Sequence, residues 1–319
     1  MDLKVPGIHH VTSVVGDPQR DLDFYTGVLG LRPLKVTVNF DVPKTYHLYF
    51  GDHAGNPGTI LTTFPWPRTK PGRIGAGQIG VTTFAVAEDS LDFWRDRLEQ
   101  HGVEADTTRT VFDEEKLTFE DPDGLVNALV GQPGTSVAES WREGPVPAEH
   151  AILGFAGVTL YSSNPDETTA VMTDVLGFTV SAESQSLRRF TTETGELGST
   201  IDLLLEPPFQ DGVEGPGTVH HVAWRTRDEE EQKRWRQRLT SVGLSVTPVR
   251  DRSYFKSIYF NEPGGILFEI ATDPPGFAID EPVESLASGI RLPPWYEDRR
   301  AEFERGLQKI HLPNGVTVP

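Results

Sequence analysis

Two pairs of adjacent histidines and one glutamate in an apolar segment are the residues best suited to chemistry in this 319-residue chain. The pairs stand in HHVT at 9–12 and HHVA at 220–223, and the glutamate is Glu269 in FEI at 268–270. An unpaired carboxylate inside an apolar strand costs several kcal/mol unless it is neutralised or bound to a metal. Two histidines and one carboxylate form the facial triad that suits non-haem Fe(II), and Mn(II) has similar preferences.

These residues can meet only if distant parts of the chain come together, and an internal repeat predicts that they do. Four segments begin alike: GIHHVTSVV from Gly7, GQIGVTTFAV from Gly77, GFAGVTLYS from Gly154 and TVHHVAWRT from Thr218. Each has the alternation typical of a strand, and a helical pattern and further β-rich runs follow it. We therefore predict an α+β fold made of four βαβββ modules.

One position in the first strand distinguishes the modules. It is occupied in modules one to four by His10, Gly80, Gly157 and His221. Modules that face each other across an axis of quasi-symmetry bring such equivalent positions together, so the two imidazoles could share a site with Glu269. Two alternatives stay open at this point: a strand histidine is more often structural than a ligand, and Glu269 could instead pair with Arg250 or Arg252.

The predicted boundaries divide the chain into two units and a tail. Modules one and two make an N-terminal domain at 1–135, and modules three and four a C-terminal domain at 151–275. The Gly- and Pro-rich segment 131–150 links them. Each module helix should end at a glycine, namely Gly30, Gly102, Gly177 and Gly243. The tail, 276–319, contains an amphipathic helical stretch at 295–310 with its apolar face formed by Tyr296, Phe303, Leu307 and Ile310.

The composition limits the classes of protein that the chain can represent. With 29 Lys and Arg against 47 Asp and Glu, the net charge is −18, and no basic block is present to attract nucleic acid. No window approaches the roughly 18 apolar residues of a membrane span, and the N-terminus lacks the features of a signal peptide. The absence of Cys excludes thiol nucleophiles and Cys-ligated metals. We expect a cytoplasmic protein with a small-molecule site and no nucleic-acid or membrane partner, and we leave homo-oligomer formation open.

The repeated modules, the two HH motifs and the terminal-strand FEI resemble the vicinal oxygen chelate superfamily of glyoxalases, bleomycin resistance proteins and extradiol dioxygenases. The resemblance runs from about Gly7 to Asp273. It is strongest to the dioxygenases that open para-hydroquinones, which the tail motif LPPWYEDRR at 292–300 also resembles. It implies two open-barrel, cup-like units, with modules one and four closing the cup that holds the metal. It further implies that His10, His221 and Glu269 are the ligands.

The same resemblance supplies candidates around the metal. It points to His9, Thr12, His220, Arg252 and Tyr259 as residues that position substrate or carry protons. Strand alternation places Thr12 on the side of His10, but it places His9 and His220 on the opposite side. Only a bulge or a strong twist would reconcile these two histidines with a role in the site. For Tyr259 a packing role is the alternative, and for Arg252 a solvated loop charge. Trp66 could line the pocket.

The function that follows is ring opening of a substituted or plain hydroquinone by O₂ at Fe(II), with Mn(II) as the other metal considered. A small aromatic compound and O₂ would be the partners. Three other functions remain open: a glyoxalase-like metal-dependent isomerase or lyase, a catechol-type extradiol dioxygenase, and a non-catalytic binding protein. The isomerases usually carry a fourth protein ligand, and the last strand of module one, TILTTFPWP, offers no carboxylate.

Overall fold

Two curled eight-stranded sheets form the framework of the molecule, a computed structural model that describes residues 3–133, 140–206, 208 and 210–319. Each of the four modules contributes one helix and four strands in the order βαβββ. The α+β class and the fourfold repeat predicted from the sequence are confirmed.

The modules follow one another along the chain with similar element lengths. Module one contains β1 (Ile8–Val15), α1 (Pro18–Asp23), β2 (Arg32–Val38), β3 (Tyr46–Gly51) and β4 (Ile60–Pro65). Module two contains β5 (Gln78–Ala87), α2 (Leu91–Gln100), β6 (Ala105–Arg109), β7 (Glu115–Glu120) and β8 (Val126–Gln132). Module three contains β9 (Gly154–Tyr161), α3 (Pro165–Ala170), β10 (Thr179–Glu183), β11 (Leu187–Thr191) and β12 (Thr200–Leu204). Module four contains β13 (Thr218–Thr226), α4 (Glu229–Ser241), β14 (Arg250–Asp251), β15 (Lys256–Asn261) and β16 (Leu267–Thr272).

The sheets pair the modules across the sequence. The strand order is β14-β15-β16-β13-β1-β4-β3-β2 in the first sheet and β10-β11-β12-β9-β5-β8-β7-β6 in the second. Modules one and four therefore meet at the antiparallel strands β1 and β13, and modules two and three meet at β5 and β9. The sequential units 1–135 and 151–275 each give one module to each sheet, and their division into domains stays a prediction. Of the predicted linker, residues 134–139 lie outside the described part of the chain.

The helices begin and end where side-chain chemistry predicts. Asp17, Asn164 and Asp228 are N-caps whose carboxylate or amide oxygens accept hydrogen bonds from backbone N–H groups of the first turn. The four predicted terminal glycines all adopt the left-handed conformation, with φ between +70° and +88° at Gly30, Gly102, Gly177 and Gly243. Helices α1 and α3 each continue into a π-helical turn, Phe24–Val28 and Val171–Val175.

The main core lies between the helices and both sheets. It joins Val11 and Trp224 of the first sheet to Phe84 and Phe155 of the second, all at most 1% exposed. Burial of this kind stabilises the fold by about 25 cal/mol for each Å² of apolar surface removed from water.

The tail packs on the first sheet, but its helix is shorter than predicted. A 3₁₀ segment at Pro294–Arg299 leads into α5 (Arg300–Glu304), and a two-stranded ladder of β17 (Ile310–His311) and β18 (Thr317–Val318) follows. Tyr296, Phe303 and Leu307 form one cluster with residues of module one, as the apolar pattern predicts. Ile310 belongs instead to the main core, because the chain has left the helix at that point.

The second sheet corrects one alignment made from the sequence. The register shifts between Ile79 and Val81, so Val81 lies opposite Thr159 as His10 lies opposite Ala223 in the first sheet. Val81, and not Gly80, is therefore the counterpart of the ligand histidines. Alignment by letters misses this because Val-Thr follows both His10 and Gly80, whereas the bulge residue of β5 is Gly80, as His9 is that of β1.

No helix among the described residues combines the length and the apolar character that crossing a membrane requires.

Candidate metal centre and pocket

A bulge in each of the two central strands places both histidine pairs. Strands β1 and β13 run antiparallel, and their ladder shifts register twice. The extra residue is His9 at one shift and His220 at the other. A bulge interrupts simple alternation, so His9 and His220 lie beside His10 and His221 instead of facing away from them. The bulge that the sequence left open is thus present at both pairs.

Three side chains converge at the centre of the first sheet. His10 Nε2 lies 3.3 Å from His221 Nε2 and 3.3 Å from Glu269 Oε2, and His221 Nε2 lies 2.9 Å from the same oxygen. Glu269 is fully buried, and within the described part of the chain its Oε2 atom has no hydrogen bond of acceptable geometry. Its other oxygen accepts a 2.5 Å hydrogen bond from Ser257 Oγ. One carboxylate oxygen is therefore fixed by the protein, and the other faces two imidazole nitrogens.

This arrangement fits one divalent cation. Separations near 3 Å are those expected between neighbouring ligand atoms that each lie about 2.1 Å from one metal ion. Burial lowers the pKa of His221 to about 3, which keeps the imidazole neutral and its lone pair free. Burial would raise the pKa of Glu269, but His10 and His221 hold it well below its usual range. Two imidazoles and one carboxylate are a donor set suited to Fe(II) or Mn(II).

The neighbouring histidines hold the two candidate ligands from behind. His9 Nδ1 lies 2.9 Å from His10 Nδ1, and His220 Nδ1 lies 2.6 Å from His221 Nδ1. If His10 and His221 present Nε2 to a metal, each carries a proton on Nδ1 that its neighbour accepts, which fixes the tautomer. His9 is buried and also bonds the backbone of Thr272, whereas His220 is a quarter exposed and lies 3.3 Å from a carboxylate oxygen of Glu214.

Arg252 and Tyr259 lie together beside His221. The Arg252 guanidinium donates a 3.1 Å hydrogen bond from Nε to Tyr259 Oη and a 2.8 Å bond from Nη2 to Asp41. The Tyr259 ring packs edge-on against the imidazole of His221 at 5.7 Å. Burial raises the pKa of Tyr259, so the phenol stays protonated at neutral pH. Neither Arg250 nor Arg252 forms an ion pair with Glu269 in the structure, since both pair with Asp41.

A cavity of about 190 Å³ opens over this cluster. The predicted residues that line it are His10, Thr12, Trp66, His220, His221, Arg252 and Tyr259. His9 and Glu269 are buried beneath it. Sequence reasoning missed His47, Phe64, Phe255 and the segment 39–42, which complete the lining. The signal available for His47 was an imidazole in the apolar run YHLYF at 46–50, the same feature that marks the two HH pairs.

The strand registers identify the residue of module one that occupies the position equivalent to Glu269. Glu269 lies beside Ala223 and Tyr259 in the ladders of module four, and Thr62 lies beside Thr12 and Tyr49 in those of module one. Thr62 is thus the module-one counterpart of Glu269. Module one therefore has a threonine, and not a carboxylate, at the position where a fourth protein ligand would lie.

Comparisons with known proteins identify the family of this chain. The model of the Glyoxalase/Bleomycin resistance protein/Dioxygenase superfamily matches residues 7–129 and 154–270. MhqO of Bacillus subtilis (strain 168), provisionally named a ring-cleaving dioxygenase, is 47% identical over 307 residues, which are 96% of this chain and 97% of MhqO.

Two further similarities extend over the same length. The chlorohydroquinone/hydroquinone 1,2-dioxygenase of Sphingobium indicum is 31% identical over 310 residues, covering 95% of this chain and 96% of that protein. A crystal structure from Bacillus subtilis, provisionally named a dioxygenase, matches with a TM-score of 0.94 and 46% identity. That match covers 98% of this chain and 99% of the other.

Proposed function

The chain belongs to the Glyoxalase/Bleomycin resistance protein/Dioxygenase superfamily, and from this premise we propose that it opens the ring of a plain or substituted hydroquinone with O₂. The reaction would use a divalent metal, Fe(II) or Mn(II), bound by His10, His221 and Glu269. The observation that carries the proposal is the three-residue cluster with Thr62 in the fourth position. A site with three protein ligands leaves coordination positions for both a substrate oxygen and O₂.

The cavity suits a flat aromatic ring with polar edges. Aromatic side chains form much of its wall, namely Phe40, Phe64, Trp66, Phe255 and Tyr259. Such walls bury a ring by contact and by edge-to-face packing. Phe255 also packs against the His10 ring at 4.8 Å, so the same side chain would contact both the substrate and a candidate metal ligand.

The residues around the cavity would perform three tasks. When bound, the metal would supply a Lewis acid and a path for electrons between the ring and O₂. Arg252 and Tyr259 would donate hydrogen bonds to a substrate oxygen that carries negative charge. His220, between His221 and Glu214 at the edge of the cavity, would carry the substrate's hydroxyl proton towards solvent. His9 would hold the orientation of His10.

The relatives support hydroquinone in particular. A hydroquinone offers the metal only one hydroxyl, so polar groups of the protein must orient the ring, and the cavity provides them at Arg252 and Tyr259. Catechol chelates through two adjacent hydroxyls and needs no such groups. The glyoxalase-like alternative lacks its fourth ligand at Thr62, and a binding protein has no need for the buried ligand triad.

Oxygen uptake tests the proposal. The protein would be loaded anaerobically with Fe(II) or, separately, Mn(II), and mixed in an oxygen electrode with hydroquinone, chlorohydroquinone, methylhydroquinone or catechol. We expect uptake of one O₂ for each ring opened with at least one hydroquinone, and little uptake with catechol. Uptake with catechol alone would contradict the substrate assignment. Isomerisation of the methylglyoxal–glutathione hemithioacetal without any O₂ uptake would support the glyoxalase-like alternative instead.

A further inference from the structure

A chain of four hydrogen-bonded side chains crosses the module-one wall of the cavity. Tyr49 Oη lies 2.9 Å from His47 Nδ1, His47 Nε2 lies 2.8 Å from Thr62 Oγ1, and Thr62 Oγ1 lies 2.9 Å from Thr12 Oγ1. All four side chains are at most 9% exposed. The chain begins in the core beneath the tail and ends at a residue that lines the cavity.

Only one arrangement of protons along these four side chains leaves the buried hydroxyl proton of Tyr49 with an acceptor. Among the described residues, the Tyr49 hydroxyl has a single hydrogen-bond partner, His47 Nδ1. If His47 carried its proton on Nδ1, the phenol proton would be buried without an acceptor, at a cost of about 1–3 kcal/mol. Tyr49 therefore donates to Nδ1, which leaves the His47 proton on Nε2.

The same order of donor and acceptor then applies to each hydrogen bond from His47 to the cavity. His47 Nε2–H donates to Thr62, so the hydroxyl proton of Thr62 is directed to Thr12. The Thr12 oxygen thereby accepts a hydrogen bond, and its own proton has no acceptor among the described residues. Burial lowers the pKa of His47 well below its ordinary value and raises that of Tyr49, so both groups keep these neutral forms at neutral pH.

The free proton lies next to the candidate metal site. Thr12 is directly opposite His221 in the β1–β13 ladder, two residues along the strand from His10. A hydroxyl that already accepts a hydrogen bond is a better donor, because each bond in a chain polarises the next. A group in the cavity that meets this donor gains most if it carries negative charge.

We propose that Tyr49 and His47 are positioning residues that make Thr12 a hydrogen-bond donor to the deprotonated hydroxyl of the bound aromatic substrate. This inference rests on the proposed function for the identity of the substrate. The substrate oxygen would then receive a hydrogen bond from Thr12 of module one in addition to those from Arg252 and Tyr259 of module four.

The tautomer of His47 tests the direction of the chain without any metal or substrate. Long-range ¹H–¹⁵N NMR spectra of the full-length protein distinguish Nε2–H from Nδ1–H histidines. The His47 signals are those that move in Tyr49→Phe but not in Tyr46→Phe, since Tyr46 lies on the same strand and bonds Gln308 instead. We expect the Nε2–H form between pH 6 and 8. An Nδ1–H or doubly protonated His47, or no signal that responds to Tyr49→Phe, would overturn the proposal.

A double-mutant cycle tests the effect on the ligand. The probe is 4-nitrophenol, added anaerobically to the metal-loaded protein, because its phenolate absorbs visible light. We expect the wild type to hold it as phenolate, and Thr12→Val to weaken phenolate binding about tenfold, as loss of one hydrogen bond to a charged group does. Tyr49→Phe should weaken it less, and Thr12→Val/Tyr49→Phe no more than Thr12→Val alone. Thr12→Ser should restore binding.

Additive effects of Thr12→Val and Tyr49→Phe, or an equal effect of Tyr46→Phe, would show a merely structural role and overturn the proposal. So would a wild-type protein that binds no phenolate. Metal content, measured in every variant, should stay at the wild-type level. If the wild type binds the phenolate and the cycle behaves as expected but no hydroquinone is opened, the proposed function fails while the role of the Tyr49–His47 pair stands.

Discussion

At the scale of single residues, each candidate ligand histidine depends on the histidine before it. His9 and His220 occupy the extra positions of two bulges, and their Nδ1 atoms meet those of His10 and His221. A partner of this kind fixes both the tautomer and the ring orientation of a ligand. The doubled HH motif is therefore explained by geometry: in each pair the second histidine is the candidate ligand, and the first contacts its Nδ1 atom, His220 lining the cavity as well.

Tyr259 should act on the reaction more than on the metal. Its hydroxyl is held by Arg252, and its ring touches His221 only at the edge. We expect Tyr259→Phe to lower kcat for the hydroquinone by about tenfold or more, since a hydrogen bond to developing charge is lost. Metal content should stay unchanged. Equal loss of metal and of turnover, measured by metal analysis and oxygen uptake, would instead make Tyr259 a support for His221.

The buried carboxyl of Asp121 should make stability depend on pH. Burial raises its pKa to about 6, although it accepts hydrogen bonds from two backbone N–H groups and from Tyr25. A carboxyl whose folded pKa exceeds its unfolded value of about 4 favours folding below pH 4. That contribution is lost as the pH rises to about 6. Asp121→Asn should flatten the fall in the free energy of unfolding over this range, by at most about 3 kcal/mol.

Urea unfolding from pH 4 to 8 measures this effect. Asp92→Asn, at an exposed position, is the control and should keep the wild-type slope. An Asp121→Asn protein with that same slope would show that Asp121 is ionised in both states.

The sequence predicted the candidate ligands but not the Tyr49–His47 pair. His10 and His221 stand out because the repeat compares them with each other, and Glu269 because a charge interrupts an apolar strand. The repeat gives His47 no histidine counterpart, since Ser257 holds the equivalent position in module four, two residues before Tyr259, and an imidazole in an apolar run is its only mark. Its role arises from hydrogen bonds between strands, which no local pattern encodes.

At the scale of elements, the tail packs against one wall of the candidate metal site. Phe277 packs against Tyr49 and Tyr254, in the same cluster as Phe255, which touches His10. The helix was predicted longer than it is, because the apolar positions of the tail serve two different contacts. An amphipathic pattern predicts which residues are buried, but not whether one continuous helix buries them.

Lys35 holds the tail on this wall. It is fully buried in β2, pairs with Asp280 at 2.6 Å and with Glu281, and lies over the Tyr254 ring. We expect Lys35→Met to lower the free energy of unfolding by about 3 kcal/mol or more, because two carboxylates lose their buried partner. Urea unfolding measures the loss.

The control is Lys233→Met, whose exposed pair with Glu230 should contribute less than about 1 kcal/mol. Equal stabilities of the two variants would mean that solvent or Arg291 compensates for the missing charge at Glu281.

At the scale of the whole molecule, the two sheets share one topology but enclose different side chains. In the second sheet, Asp202 and Ala128 occupy the positions that match Thr62 and Glu269. Asp202 forms a two-bond ion pair with Arg189, at 2.7 and 2.8 Å, where the first sheet has its cavity. The adjoining space is only about 30 Å³, against about 190 Å³ over the histidines. A guanidinium therefore neutralises the buried carboxylate of the second cup.

The pairing of modules could be foreseen only through the family resemblance. Short-range patterns predict the modules themselves, but the choice between sequential and crossed pairing depends on contacts between residues over two hundred positions apart, such as His10 and His221. The boundaries at 135 and 151 follow the order of the modules along the chain, whereas each sheet combines one module from each of the two units.

Metal content of matched variants in the two cups tests the central claim most directly. Purified protein, loaded with Fe(II) and freed of excess metal, should hold about one ion per chain. Glu269→Gln should lose most of it while remaining folded, because the shape is kept and the charge that offsets the cation is gone. Asp202→Asn, which breaks a buried ion pair in the second cup, should lower thermal stability and keep the metal. Full metal occupancy in Glu269→Gln would contradict the account.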